Sequence, residues 1–170
     1  MTRLLRSLTQ IALLRRDASI LPASWAWVEI SALGYAATNA VVVWASDADD
    51  MLARIVVDLA LSLAFMWILL AITNRTHRLP QTVIAVFGVY MLLAPAVIAL
   101  LLMQGPSRPN PAILLLSTAG TILIVIWYLL VVGHILKGAL DTGLVTGFAI
   151  AVAWLLASIA VVRFLFGEAT

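Results

Sequence analysis

The chain has 170 residues, 64% of them hydrophobic and 11% charged, with a formal net charge of +2 at pH 7. An ordinary soluble domain carries roughly 25% charged residues, so this composition excludes a dispersed soluble fold and points to lipid surroundings. With no cysteine there are no disulfides, no thiolate nucleophile and no cysteine-bound metal, and His77 and His134 leave little for a metal centre of another kind.

Residues 1–22 precede the first apolar span. Leu4, Leu5, Leu8, Ile11 and Ala12 share one helical face, while Arg3, Arg6 and Gln10 lie off it. That pattern predicts a short amphipathic helix on the inner leaflet, with Arg3, Arg6, Arg15 and Arg16 toward lipid headgroups. A plain basic tail is the simpler alternative. A signal peptide does not fit, because the apolar core is short and Arg15-Arg16-Asp17 follows it without a cleavage site.

Residues 23–170 read as one all-α domain of five transmembrane helices. A hydrocarbon core about 30 Å thick needs about 20 apolar residues in a helix. Five stretches qualify: 23–45, 51–72, 81–103, 111–136 and 143–166. Pro22, Pro80 and Pro111 fall where a first turn would begin, a position at which a missing N–H costs nothing. Asn110 is a good N-cap, and Asp47, Asp49 and Asp50 put negative charge ahead of the second span. Gln104-Gly105-Pro106-Ser107-Arg108-Pro109 must be a loop. Lys137 to Thr142 is a weaker break, compatible with a tight turn between the last two spans.

The basic residues fix an expected orientation. One side collects Arg3, Arg6, Arg15, Arg16, Arg75, Arg78 and Lys137; the other has Arg108 and the acidic run Ser46-Asp47-Ala48-Asp49-Asp50. The N-terminus is therefore expected in the cytoplasm and the C-terminus outside. Nine of the ten basic residues are Arg, and Ala, Leu and Val abound, a composition that suits a high-GC bacterium and hence its inner membrane.

Polar residues inside the spans are the candidates for function, since each is costly there. In the second span, twelve Val, Ile, Leu and Phe residues contribute roughly −4 to −7 kcal/mol to insertion, and Arg54 and Asp58 would each cost about 3 at the centre. Their four-residue spacing puts both on one face, where they can pair. Asn39 and Arg163 come to a similar depth, so Asn39, Arg54, Asp58 and Arg163 form a candidate outer cluster. It is either an ion pair locking helices or a vestibule for a small ion. Glu29 lies in the opposite half, about 9 Å into its span, at a depth compatible with His134. The two could relay a proton; alternatively Glu29 reaches for the interface and His134 caps backbone carbonyls. Pro95 removes one hydrogen bond in mid-span, freeing the Met91 carbonyl and predicting a kink. Gly143, Gly147 and Ala151 form a small-residue stripe for close helix packing, within the chain or with a second copy.

The segment Arg75-Thr76-His77-Arg78-Leu79-Pro80-Gln81-Thr82, followed by a span with Pro95, resembles the middle of the Yip1 family. So does Trp127-Tyr128 with Gly133-His134-Ile135-Leu136 and a small-residue span after it. The resemblance covers about the last hundred residues and implies five spans with a cytoplasmic N-terminus and an external C-terminus. Eukaryotic members associate with small GTPases and membrane traffic through a long cytoplasmic N-terminal region, here only about 22 residues. Bacterial members look like inner-membrane proteins without an assigned activity.

Nothing in the chain points to catalysis. Asp141-Thr142-Gly143 imitates an aspartic-protease triplet but joins two helices, and no HExxH, Walker A or GxSxG occurs. The expected protein is a non-enzymatic membrane protein acting through contacts with lipid, other membrane proteins or itself. No cofactor, metal or nucleic acid is expected. The alternative is a small oligomeric transporter or channel. The orientation is open to a direct check: reporter fusions after Asp50 and Arg108 should report the outside, and a fusion after Arg78 the cytoplasm. A cytoplasmic reading after Asp50 would overturn it.

Overall fold

With no water to bind them, backbone N–H and C=O groups in a bilayer must be bonded within the segment, and long apolar runs therefore become helices. A computed structural model describes residues 2–45, 50–103 and 110–167. It contains a short helix α1 (Thr2–Ala12) and five long ones: α2 (Trp25–Ala45), α3 (Met51–Ile72), α4 (Leu79–Leu102), α5 (Pro111–Leu140) and α6 (Leu144–Phe166). Single 3-10 turns at Ala18–Ile20 and Thr76–Arg78 precede α2 and α4. All five long helices are long and apolar enough to cross a membrane, so the chain is a polytopic all-α membrane protein with a short amphipathic N-terminal helix.

Several boundaries follow from identifiable residues. Asn110 caps α5, its side chain accepting from the Ala112 N–H at 2.9 Å. Pro80 and Pro111 occupy the first turns of α4 and α5. Pro22 does not start α2, which begins three residues later, at Trp25. The fourth span runs on past its expected end at residue 136, to Leu140. Asp141 then turns the chain in the left-handed region at φ 49°, a conformation that Asp tolerates better than most residues. The loop 104–109 and the acidic run 46–49 lie outside the described residues.

α4 is the axis of the bundle. From Pro80 to Val89, apart from Gln81, every residue is buried, so this half of the helix is covered on all sides. The most extensive pairings are α2 with α4 and α5 with α6, and α1 also lies against α4 and α5. Helix ends Thr73, Arg78, Gly138 and Leu144 gather at one end of the bundle, called here the arginine-rich end. Arg78 Nη1 donates there to the carbonyls of Gly138 (2.8 Å) and Ala139 (3.2 Å) and to Asp141 Oδ1 (3.0 Å). Arg75 pairs with the other oxygen of Asp141. The hydrogen bond from Arg78 and the charges of both arginines hold the Asp141 carboxyl below the ordinary carboxylate range. The clasp therefore stays ionised as pH falls through that range and is lost only below it.

The expected small-residue stripe needs one correction. Ala151 is fully buried, and a Cβ on Gly147 would collide with the Gly133 carbonyl oxygen and come within 3.0 Å of the Lys137 nitrogen. A Cβ on Gly133 would come within 2.8 Å of the Phe148 backbone, so α5 and α6 touch backbone to backbone. Gly143, by contrast, has nothing within 4 Å of its Cβ position; it is the residue before α6, outside the seam. Pro95 lies within α4, which continues through it to Leu102. Gly147→Val should destabilise the protein by about 1–3 kcal/mol through overpacking, and Gly143→Ala should stay within about 0.5 kcal/mol of the parent. Thermal melts in one detergent compare them.

Candidate functional site

Exposed tryptophans set the scale of depth. Trp25 and Trp44, at opposite ends of α2, are 62% and 69% exposed. Their separation along the helix is about 29 Å at 1.5 Å per residue, close to the hydrocarbon thickness, as expected for an aromatic belt at each boundary. Tyr35, ten residues from Trp25, then falls about 15 Å deep, near the mid-plane.

A polar network occupies this depth. Tyr35 and Asn39 stand four residues apart on one face of α2, and both donate to Asp58 Oδ2 of α3, Asn39 Nδ2 at 2.9 Å. Tyr90 of α4 donates in turn to Asn39 Oδ1 at 3.3 Å. The rings are packed as well: Tyr35 stacks on Phe87 at 4.4 Å and tilts against Tyr90, which meets Tyr128 of α5 edge-on at 6.1 Å. Ser31, Thr38, Ser117 and Thr121 return their hydroxyls to carbonyls of their own helices. Among the described residues, Ser62 Oγ and Trp154 Nε1 are buried without a partner. Beside the network, Tyr90 and Tyr128 line an otherwise apolar cavity of about 140 Å³.

The intramembrane candidates are thus divided. Asn39 and Asp58 come together, but no ion pair joins Asp58 to Arg54. The two tyrosine and asparagine donors from α2 take up the carboxylate, and the Arg54 guanidinium lies 5.0 Å over the Phe166 ring instead. Arg163 is exposed in the last turn of α6, and the hydrogen bonds of Asp58 among the described residues come from Tyr35 and Asn39. Glu29 is exposed on α2 and makes no hydrogen bond among the described residues. It is not the partner of His134.

His134 instead serves the N-terminal segment. Its Nε2 lies 3.3 Å from the Arg16 carbonyl oxygen and 3.5 Å from Asp17 Oδ1. Both neighbours are acceptors, so Nε2 carries the proton. Seven residues along α5, about 10 Å deeper, Trp127 Nε1 donates to the Ala12 carbonyl at 3.2 Å. Leu8, Ile11 and Ala12 are buried, and Leu8 fills the place where a side chain at Gly88 would stand. Part of the apolar face of α1, Leu8, Ile11 and Ala12, is therefore packed on α4 and α5 while Leu5 stays exposed, so the helix is docked on the bundle rather than resting on lipid alone as expected. The chain returns through Leu13–Asp17 toward the arginine-rich end, where Gln81 Nε2 donates to the carbonyls of Ser19 and Leu21 at 3.2 and 3.0 Å. Arg6, Arg15 and Arg16 remain exposed; Arg3 belongs to α1, with its side chain outside the described residues. Between this return segment and α4 and α5 opens a cleft of about 250 Å³ lined by Asp17, Ser19, Arg78, Gln81, Gly138 and Asp141 among others.

Sequence reading missed Tyr35, Tyr90 and Asp17. For Tyr35 a signal existed: with Asn39 it makes a polar i, i+4 pair near the middle of the span. Among the described residues no group of three His, Asp or Glu side chains is placed to hold a metal ion.

The network can be tested by double-mutant cycles in one detergent. Tyr35→Phe and Asp58→Leu should couple by about 1–2 kcal/mol, toward the upper end for an interhelical hydrogen bond in a membrane protein. Arg54→Leu and Asp58→Leu should add to within about 0.5 kcal/mol; strong coupling there would restore the ion pair.

Comparison with protein-family models, curated proteins and solved structures finds no match to this chain, so the site is read from its own geometry.

Proposed function

We propose that the chain is a Yip1-like bacterial inner-membrane protein that works through contacts with membrane proteins or lipids at its arginine-rich end. That end faces the cytoplasm in this reading, in keeping with the distribution of Arg and Lys. The observation that carries it is the contrast between the two polar regions. In mid-membrane, Asp58, Asn39, Tyr35 and Tyr90 are spent on one another, as in a device that fixes α2, α3 and α4. At the arginine-rich end, charged and polar side chains of both signs line an open cleft, ready to meet another molecule. The resemblance around Arg75–Thr82 and Trp127–Leu136 points to the same class of protein.

One observation favours a second reading, a small transporter. Tyr90 and Tyr128 join the Asp58 network to the neighbouring cavity, so a proton or small solute would have a polar station at mid-membrane.

The two readings part in reconstituted vesicles. With pH- and sodium-sensitive dyes inside, vesicles holding the protein should lose an imposed gradient no faster than protein-free ones. Loss of the gradient that Asp58→Asn abolishes would replace the interaction reading with transport. In cells, photo-crosslinkers at Ser19 and Ile20 should give discrete adducts that Arg78→Ala removes, whereas one at Leu115, on the far half of α5, should give none.

A further inference from the structure

We propose that the cleft at the arginine-rich end binds the zwitterionic headgroup of an ethanolamine phospholipid, with its phosphate on Arg78 and its ammonium on Asp17 and Gln81. This deepens the interaction reading above by naming a ligand for the same end.

The donors and acceptors on its walls are divided as such a headgroup requires. Arg78 uses Nη1 to hold Gly138, Ala139 and Asp141, and its Nε and Nη2 make no hydrogen bond among the described residues. A guanidinium has five N–H donors in a planar fork, and the unused edge suits phosphate oxygens. Asp17 packs over Gly138, with Oδ1 beside His134, and its Oδ2 has no partner among the described residues. Gln81 spends its amide nitrogen on Ser19 and Leu21, which leaves the amide oxygen as an acceptor. A primary ammonium offers three donors to such acceptors.

Charge selects among headgroups. The cleft carries both signs: Arg78 stands among its lining residues with Asp17 and Asp141, and Arg75 pairs with Asp141 at its edge. A glycerol headgroup would set its phosphate on the same Arg78 edge, but its neutral hydroxyls bring no positive charge to Asp17. A choline headgroup has the right charges, but its quaternary ammonium has no N–H to donate. A phosphate ester with a free amine satisfies both poles.

Level selects a lipid over a soluble ester of the same chemistry. Gln81 is bonded to Leu21, just before α2, whose Trp25 marks the boundary of the hydrocarbon. Ile20, next to the lining residue Ser19, is 39% exposed, and Trp25 is 62% exposed. Acyl chains therefore find apolar surface beside the cleft.

The test uses the full chain in detergent micelles, titrated with matched-chain ethanolamine, choline and glycerol phospholipids and read by native mass spectrometry. The ethanolamine lipid should be retained about tenfold better than either of the others, the size expected for one charge-assisted hydrogen bond. Asp17→Asn, which keeps an oxygen for the contact with His134 but loses the charge, should erase the preference over choline. Arg78→Lys should weaken all phosphate-bearing lipids. Equal retention of all three, or preference for the anionic lipid, would overturn the proposal. So would an unaltered ethanolamine preference in Asp17→Asn. Soluble phosphoethanolamine competing as well as the lipid would overturn the assignment to a membrane ligand. These outcomes leave the interaction reading standing if the crosslinked adducts persist, whereas Asp58-dependent flux would remove that reading whatever the lipid result.

Discussion

The constraint on which this architecture depends is the absence of water in hydrocarbon. A helix that enters the bilayer without crossing it leaves carbonyls at its deep end, and protein must satisfy them. α1 ends at Ala12, about 10 Å beyond the level of His134, and Trp127 supplies the N–H its carbonyl needs. His134 does the same for Arg16 on the way back. Those two donors, with Gln81, determine where the N-terminal segment can lie. Its course in turn creates one wall of the cleft.

The same constraint acts on Asp58. A carboxylate near the mid-plane is expensive unless donors surround it, and Tyr35 and Asn39 of α2 provide them. The bundle is thereby divided in its work. The half near the arginine-rich end is densely packed around α4 and sealed by the Gly133–Gly147 contact and the Asp141 clasp. The other half turns apolar side chains outward, Leu115 and Phe164 among them, as a lipid-facing surface requires. Polar chemistry that can meet another molecule is concentrated at the first half.

Much of the fold was legible because hydropathy and turn chemistry are local. The five spans, the Asn110 cap and the turn after the fourth helix follow from neighbours in sequence. Partner choice is not local, and there the reading went astray. Arg54 and Asp58 have the spacing of an ion pair, yet donors from another helix compete for the carboxylate, and a cation can settle on an aromatic ring. For His134 the relay with Glu29 fails and the carbonyl-cap alternative holds, but the carbonyl is that of Arg16, with Asp17 beside it, far off in sequence and brought near as the N-terminal segment folds back. That return could not be read from α1 alone, because an apolar face suited to lipid is equally suited to a groove between two helices. Gly88, an unremarked glycine in α4, is the residue that makes room for it.

The docking of α1 is thus the claim on which the cleft, its ligand and the placing of the N-terminus all rest. The chain has no native cysteine, so one engineered pair reports on it cleanly. Leu8→Cys with Gly88→Cys exchanges the contacting leucine for a smaller side chain where space is tight. In native membranes under mild oxidation this pair should form an intramolecular disulfide, while Leu8→Cys with Met103→Cys, at the far end of α4, should not. A Leu8→Cys and Gly88→Cys pair that stays unlinked under conditions that oxidise neighbouring cysteines would contradict the account and return α1 to the membrane surface.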